Sequence, residues 1–341
     1  MHGAPALLVA HEAPPGRRRR GGANRTLALA EAAYAPRTMS KVVEAKRMPG
    51  PPGSLNALAA PFDLDTAPRA CGPFAIAGHH KTAETAPGVL PVDADVRPHP
   101  HIGLTAISFV LEGAVTHRDS LGHRVELRAG DVGITVSGRG VVHSERFERR
   151  RLLGGGLDMF QLLLALPDGH EEVEPSFIHR AASELPTTSE GGATVRFLLP
   201  APPSAPTGIP VKTPILLAEV RLNADGRWSP PASPERALYV IDGEIEVGTS
   251  RASAGQVVIL DADDPPVRAI GRAHLLAFGG EPVGPRFMWW NYLHSSLERI
   301  EAAKAEWRAG KVRLPDGDTE SFTPCPPDDG RPLRRINQPR T

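Results

Sequence analysis

A five-residue word occurs twice in this chain of 341 residues. Phe109-Val110-Leu111-Glu112-Gly113 returns 130 positions later as Tyr239-Val240-Ile241-Asp242-Gly243. A second pair, Gly130-Asp131-Val132 and Gly255-Gln256-Val257, is separated by 125, so the intervening hairpin is five residues shorter in the later copy. An internal repeat means that one unit is used twice, which bounds the fold before any single residue is weighed. The words around the repeat say what the unit is. Leu104 to Val115 is rich in Ile, Phe, Val and Leu, Arg124 to Arg128 alternates apolar with polar, and Val132 to Val136 is a further short run. Turn residues stand between them at 111–113, 119–122, 129–131 and 137–140. Short strands at regular spacing predict a sandwich or barrel, and a small barrel can hold one ligand inside. The 36 Pro and 34 Gly, with few aromatics, favour turn-rich β-structure over a helical bundle. The length is comfortable for two such units.

The earlier copy carries two histidine-bearing words, Pro98-His99-Pro100-His101 and Val142-His143-Ser144-Glu145. On strands, the period of two puts His99 and His101 on one face, and His143 and Glu145 likewise. A single surface histidine on a loop needs no explanation, but two such pairs bracketing a strand-rich stretch read first as a metal or catalytic site. Three imidazoles and one carboxylate suit a divalent ion such as iron, nickel, copper, zinc or manganese, whereas calcium and magnesium prefer all-oxygen shells.

Taken together, Arg97 to Leu104, Leu111-Glu112-Gly113, His117 to Gly122, Gly130-Asp131-Val132 and Ser137 to Glu145 keep order and spacing over about fifty positions. They resemble the pirin family of the cupin superfamily, in its bacterial branch. The resemblance implies an all-β fold of two tandem cupin (jelly-roll) barrels with a C-terminal helix. It further implies one metal ion, usually iron, held in the N-terminal barrel by His99, His101, His143 and Glu145, the same four residues that the strand period selects. Several pirins resemble quercetin 2,3-dioxygenases. For this chain that implies a small aromatic substrate of the flavonol type, opened by O2 with loss of carbon monoxide, and Glu145 in a catalytic role as acceptor of the substrate's hydroxyl proton. Other pirins act as iron-dependent co-regulators, which implies instead a redox sensor that binds a protein partner; a metal-stabilised barrel without activity is a third reading. Where many pirins carry Arg, Phe and Glu after the second ligand, this chain has Ile102, Leu104 and Thr105. Gly133-Ile134 stands where a Trp-Met pair is usual, and Leu163 where Trp is common. Loss of large aromatics there is expected to widen or reshape the pocket, which puts quercetin itself in doubt as the substrate.

In the second copy the repeat offsets place Ser229 and Pro231 opposite His99 and His101, and Arg268 and Ile270 opposite His143 and Glu145. None would make a comparable site, so the second barrel is expected to be metal-free, with a packing or partner-binding role. The adjacent His79 and His80 are not expected to be ligands, because strand neighbours point to opposite faces. The nearly continuous apolar run Leu157 to Leu166 predicts a buried strand leaving the first barrel. A helix is predicted from a Ser295 or Ser296 cap to Gly310, with Leu297, Ile300, Lys304 and Trp307 near one stripe, and Trp289-Trp290 is read as its aromatic anchor on the barrels. The expected organisation is therefore a disordered or mis-assigned extension over 1–39, the metal-binding barrel over 40–166, a linker over 167–210, the metal-free barrel and helix over 211–310, and a loop or disordered tail over 311–341. Met39 is the preferred true start.

Formal charge is balanced, 39 basic against 39 acidic residues, so there is no overall electrostatic case for direct nucleic-acid or membrane binding. Arg17 to Arg20 is read as a solvated basic run, and it follows the short apolar stretch Ala6 to Ala10 in the reverse of a signal peptide's order. No apolar run reaches the ~18 residues that span a bilayer. Cys71 and Cys325 fit no metal or redox spacing, and free thiols in a cytoplasmic protein are expected.

Overall fold

The computed structural model describes residues 40–44, 57–58, 70–199, 214–328 and 334–336, all in the unit Arg37–Thr341. Arg17 to Arg20, Met39 and most of the tail past Asp328 fall outside these residues. Strand β1 (Lys41–Glu44) is followed by β2 (Phe74–Thr85), β3 (Val96–His101), β4 (Leu104–Glu112), β5 (Ala114–Asp119), β6 (Arg124–Arg128), β7 (Val132–Val136), β8 (Val141–Arg146), the short helix α1 (Glu148–Leu153), β9 (Gly155–Ala165) and β10 (Ser176–Arg180). One sheet runs β10-β7-β4-β9-β2, with Ala57–Leu58 beyond β2, and another runs β3-β8-β5-β6.

The second half repeats this with β11 (Ile215–Leu222), β12 (Glu235–Asp242), β13 (Glu244–Val247), β14 (Ser250–Ser253), β15 (Gln256–Leu260), β16 (Val267–Ala269) and β17 (Ala273–Gly280). Its sheets run β15-β12-β17-β11 and β16-β13-β14, with the bridge pair Arg227–Trp228 at the outer edge of β16. The order matches that of the first half strand for strand, so the fold is two tandem jelly-roll barrels of the cupin type. Even the turns coincide. Gly113 and Gly243 both hold φ of 82°, and a Cβ at either would sit 2.4 or 2.2 Å from a backbone oxygen, so only glycine serves there.

The apolar run at 157–166 is nearly continuous because both faces of its strand are buried. Along β9, Leu157, Met159, Leu163 and Ala165 belong to clusters inside the first barrel, while Phe160, Leu162 and Leu164 pack against the second. On β12, Leu238 and Val240 face inward, and Ala237 and Tyr239 face the first barrel. The large sheets of the two barrels thus meet face to face over Phe74, Ile107, Phe109, Phe160, Tyr239 and Phe278. Within that layer His79 hydrogen-bonds the Tyr239 hydroxyl at 3.1 Å and Asp158 at 2.6 Å.

Two segments lie elsewhere than a simple division would put them. Strand β1 pairs with β15 of the second barrel. Inside 167–210, β10 extends the first sheet, and the hairpin of Thr187–Glu190 and Ala193–Phe197 extends the second barrel's large sheet. Thr187 to Glu190 is exposed throughout, so no apolar pattern marks it. After β17 come β18 (Arg286–Trp289), β19 (Tyr292–His294) and helix α2 (Leu297–Arg308). The Ser296 hydroxyl caps α2 by accepting from the Arg299 N–H at 3.2 Å. Trp289 is buried, with the Lys304 ammonium 4.4 Å over its ring, so the tryptophan anchors the helix.

Candidate metal centre

The Pro-His-Pro-His word is possible in a strand because β3 is a sheet edge, where a residue without an N–H leaves no ladder bond unmade. Its inner edge pairs antiparallel with β8, with His99 opposite His143, and a bulge separates Val96 from His99. The result is a knot of imidazoles. Ring centroids of His99, His101 and His143 lie 4.5 to 5.0 Å apart, and one ligand atom from each comes within 4.8 Å of the others. His101 and His143 are buried and His99 is half-buried.

Hydrogen bonds fix which nitrogens are free. His99 Nδ1–H donates to the Arg97 carbonyl at 2.9 Å, and His101 Nδ1–H donates to the Asn291 carbonyl at 3.0 Å. Each leaves Nε2 as the lone-pair atom, the tautomer a metal ligand requires. His101 Nε2, both nitrogens of His143 and Glu145 Oε2 are buried with no hydrogen-bond partner. Burial, then the neighbouring His99, hold the His101 imidazole well below the ordinary histidine range. Burial, then His99 and His101, do the same for His143. Both rings are therefore neutral and able to bind a cation.

Glu145 is buried on the same face, with Oε1 3.5 Å from His143 Nδ1, yet its oxygens are not within the radius that unites the three imidazoles. Burial pushes its carboxyl above the ordinary range, against the opposing pull of His99 and Arg146. Two residues outside both histidine words also stand here. His117 on β5 lies directly across from Glu145, and Asp119 across from His143. The His117 ring is 5.4 Å from that of His143, stacks on Phe177 at 4.0 Å, and bonds Asp119 at 3.1 Å through Nε2. Asp119, wholly buried, also accepts from the His123 backbone at 3.0 Å and from its ring at 2.9 Å. Their alternation, His-x-Asp on a strand beside β8, was a visible signal of the same kind as the two words already singled out.

Neither His79 nor His80 joins this cluster, which is the one group of three or more His, Cys, Asp or Glu side chains at such distances among the described residues. Two expectations need correction. Arg268 does not stand at the place of His143. It lies on the outer face of β16, paired with Glu246 at 2.5 Å and Asp225 at 2.6 Å, while Val267 and Ala269 face inward with Ile245 and Val247. A further change of loop length shifts the equivalence by an odd number, and an odd shift in a strand exchanges the faces. Nor does the small residue at 133 widen the pocket. A Cβ there would stand 2.6 Å from Leu127 and 3.4 Å from Phe177, so those side chains already fill the space, and Ile134 faces the second barrel instead of the site.

Comparison with known proteins agrees with the architecture. Residues 58–164 match the model of the pirin family, and residues 217–313 match that of the pirin C-terminal cupin domain. The chain belongs to the pirin family. A pirin-like protein of Caulobacter vibrioides is 41% identical over 261 residues, 76% of this chain and 90% of that protein. Among solved pirin structures and their relatives, a quercetin 2,3-dioxygenase from Acinetobacter baumannii superposes with a TM-score of 0.68 at 26% identity, covering 78% of this chain and 89% of the other. The bacterial pirin YhhW from Escherichia coli, solved in complex with nickel(II), shares the fold at 19% identity with a TM-score of 0.55, covering 72% and 100%. No helix among the described residues is long and apolar enough to cross a membrane.

Proposed function

We propose that the first barrel binds one divalent first-row transition ion, iron first, on His99, His101 and His143, with Glu145 Oε2 completing the set. On this reading the pirin centre cleaves a flavonol-type aromatic substrate with O2, as the name of the Acinetobacter baumannii relative suggests. The observation that carries the reading is the group of buried donor atoms with nothing to bond. An unpartnered buried polar atom costs ~1–3 kcal/mol, and the barrel keeps such atoms on His101, His143 and Glu145, side by side in the same small sheet. A cation would take one donor atom from each of these side chains, and neutral imidazoles with a carboxylate are the donor set of mid to late transition metals.

Bound there, the ion supplies Lewis acidity and redox chemistry toward O2. The protein supplies the rest. Arg97 and Asn291 fix the orientations of His99 and His101 through their carbonyls. Glu145, buried on the same face as the three imidazoles, is the carboxylate placed to accept the 3-hydroxyl proton of the substrate. The burial of His101, His143 and Glu145 excludes bulk water from the inner side of the site. Anaerobic iron-loaded protein given a flavonol panel and then O2 should lose the flavonol absorbance. A silent panel, with iron still bound, favours the second reading, a redox sensor that binds a protein partner. That reading draws support from the close packing of Leu127 and Phe177 around Gly133, which leaves less room for a three-ring substrate.

A further inference from the structure

Two of the three clustered histidines stand on an edge strand, and the free edge of that strand is closed by chain from beyond the second barrel. The Leu293 N–H donates to the Ile102 carbonyl at 3.3 Å, beside a parallel bridge from Ile102 to Tyr292, and the Thr323 N–H donates to the Pro98 carbonyl at 2.8 Å. At Gly103 the Leu293 carbonyl passes so close that a Cβ would be 1.9 Å from it. The same late segments reach the atoms that orient the histidines. Asn291 accepts from His101, and the Arg97 carbonyl that accepts from His99 also accepts from the Thr323 hydroxyl at 3.3 Å.

Strand β8 is held from behind in a similar way. Ser144 and Arg146 alternate with His143 and Glu145 and so point to the opposite face. Both are buried, and both bond the buried Asp318: the Ser144 hydroxyl donates to Oδ2 at 2.5 Å, Arg146 Nε donates to Oδ2 at 2.8 Å, and Arg146 Nη2 donates to Oδ1. Arg118 on β5 donates to the neighbouring Gly317 carbonyl at 2.9 Å. The segment is itself fastened to α2. Trp307 Nε1 donates to the Thr323 carbonyl at 3.0 Å, and Asp328 pairs with Lys304 and Arg308 at 2.7 and 2.8 Å.

We propose that residues 311–323 form a positioning strap of the metal centre, in which Asp318 sets β8 and Thr323 sets β3, so that this late segment fixes the affinity and geometry with which His99, His101 and His143 hold their ion. The proposal rests on the metal-binding reading above. Asp318 and Thr323 touch no reacting atom; they act through the strands and through the Arg97 carbonyl. Partners bonded directly to a ligand govern metal affinity by about 10- to 100-fold when lost, and Asp318 and Thr323 stand one step further out, so effects at or below the lower end of that range are expected.

The test is cobalt(II) titration of the full-length, metal-stripped protein, following the visible ligand-field bands, with thermal unfolding of the metal-free form beside it. Wild type comes first: if it takes up no cobalt, the metal reading fails, and the strap proposal with it. If wild type binds, Asp318→Asn is expected to weaken cobalt about ten-fold and to shift the bands. Thr323→Val, which keeps the backbone bond to Pro98 and loses only the hydroxyl, should shift the bands with a few-fold loss. A merely structural role would lower the unfolding temperature of the metal-free protein and leave affinity and spectrum at their wild-type values, which overturns the proposal. Should Asp318→Asn fail to fold, Thr323→Val alone decides: wild-type bands and affinity overturn the strap, shifted bands uphold it.

Discussion

The small sheets of the two barrels have the same strand order and different contents. In the first, the inward face carries His99, His101, His117, Asp119, His143 and Glu145 beside the apolar Val115 and Leu127; in the second it carries only apolar residues of this kind, Ile245, Val247, Ala252, Val267 and Ala269. An apolar face closes by packing alone, because every side chain finds neighbours without needing a specific partner. A polar face does not. Its donors must be matched one by one, and where the protein offers no match the remaining atoms wait for something else. The first barrel keeps unmatched atoms on His101, His143 and Glu145. The difference teaches that a duplicated scaffold can divide its work: one copy gives up packing for chemistry, and the other supplies an ordinary core and a broad apolar sheet for the first to rest on.

The largest expected contrast comes from removing one imidazole. His101→Ala should abolish stoichiometric metal binding, measured by elemental analysis of folded protein, whereas Arg268→Ala, on the outer face of the second barrel, should leave metal content unchanged. Equal metal content in the two variants would break the comparison. Next, Leu238→Ala in the core of the second barrel should cost ~2–5 kcal/mol in denaturant unfolding while metal bound per folded molecule stays the same. Loss of metal in that variant would show that the barrels do not divide the work. Third, Glu145→Ala should cut metal content as well, and Glu145→Gln, which keeps the shape and removes the charge, should weaken binding in a competition titration by more than the roughly 10-fold that loss of an outer partner costs. Full wild-type affinity would leave only the imidazoles as ligands. Tyr239→Phe tests the seam between the barrels: it removes the partner of His79 and should lower stability by ~1–3 kcal/mol without altering the metal.

The smallest effect is on pH. Because burial lowers the proton affinity of His101 and His143, protons compete poorly with a metal there, and bound metal should persist as pH falls below the ordinary histidine value of 6.5. In the metal-free protein the sign is reversed in consequence. Below that value the unfolded chain takes up protons that these two folded rings refuse, so stability should fall with acidification. Metal release at or above 6.5, followed by dialysis at stepped pH, would count against buried neutral rings as the ligands.

Much of the architecture was legible because it depends on period and repeat. The pentapeptide word located the second barrel, strand alternation put His99 with His101 and His143 with Glu145, and Ser296 and Gly310 bounded the helix. What escaped depends on distance or on parity. The orientation of His101 is set by a carbonyl 190 residues away, and no local pattern announces it. Arg268 faces outward because an odd change in loop length exchanges inside for outside, and the sequence carries no mark of that change. Lys41 to Glu44 carries too few residues to say which sheet it joins, and the space at Gly133 is taken by Phe177 from a strand more than forty positions later. The carboxylate of Glu145 lies outside the imidazole group because strand period fixes the face of a side chain but not its rotamer.

The central claim is one ion, held in the first barrel. Counting bound metal per chain by native mass spectrometry of iron- or nickel-reconstituted protein tests it most directly. The account predicts a single equivalent in wild type and in Arg268→Ala and none in His101→Ala. A second equivalent in wild type, or an undiminished one in His101→Ala, would contradict it.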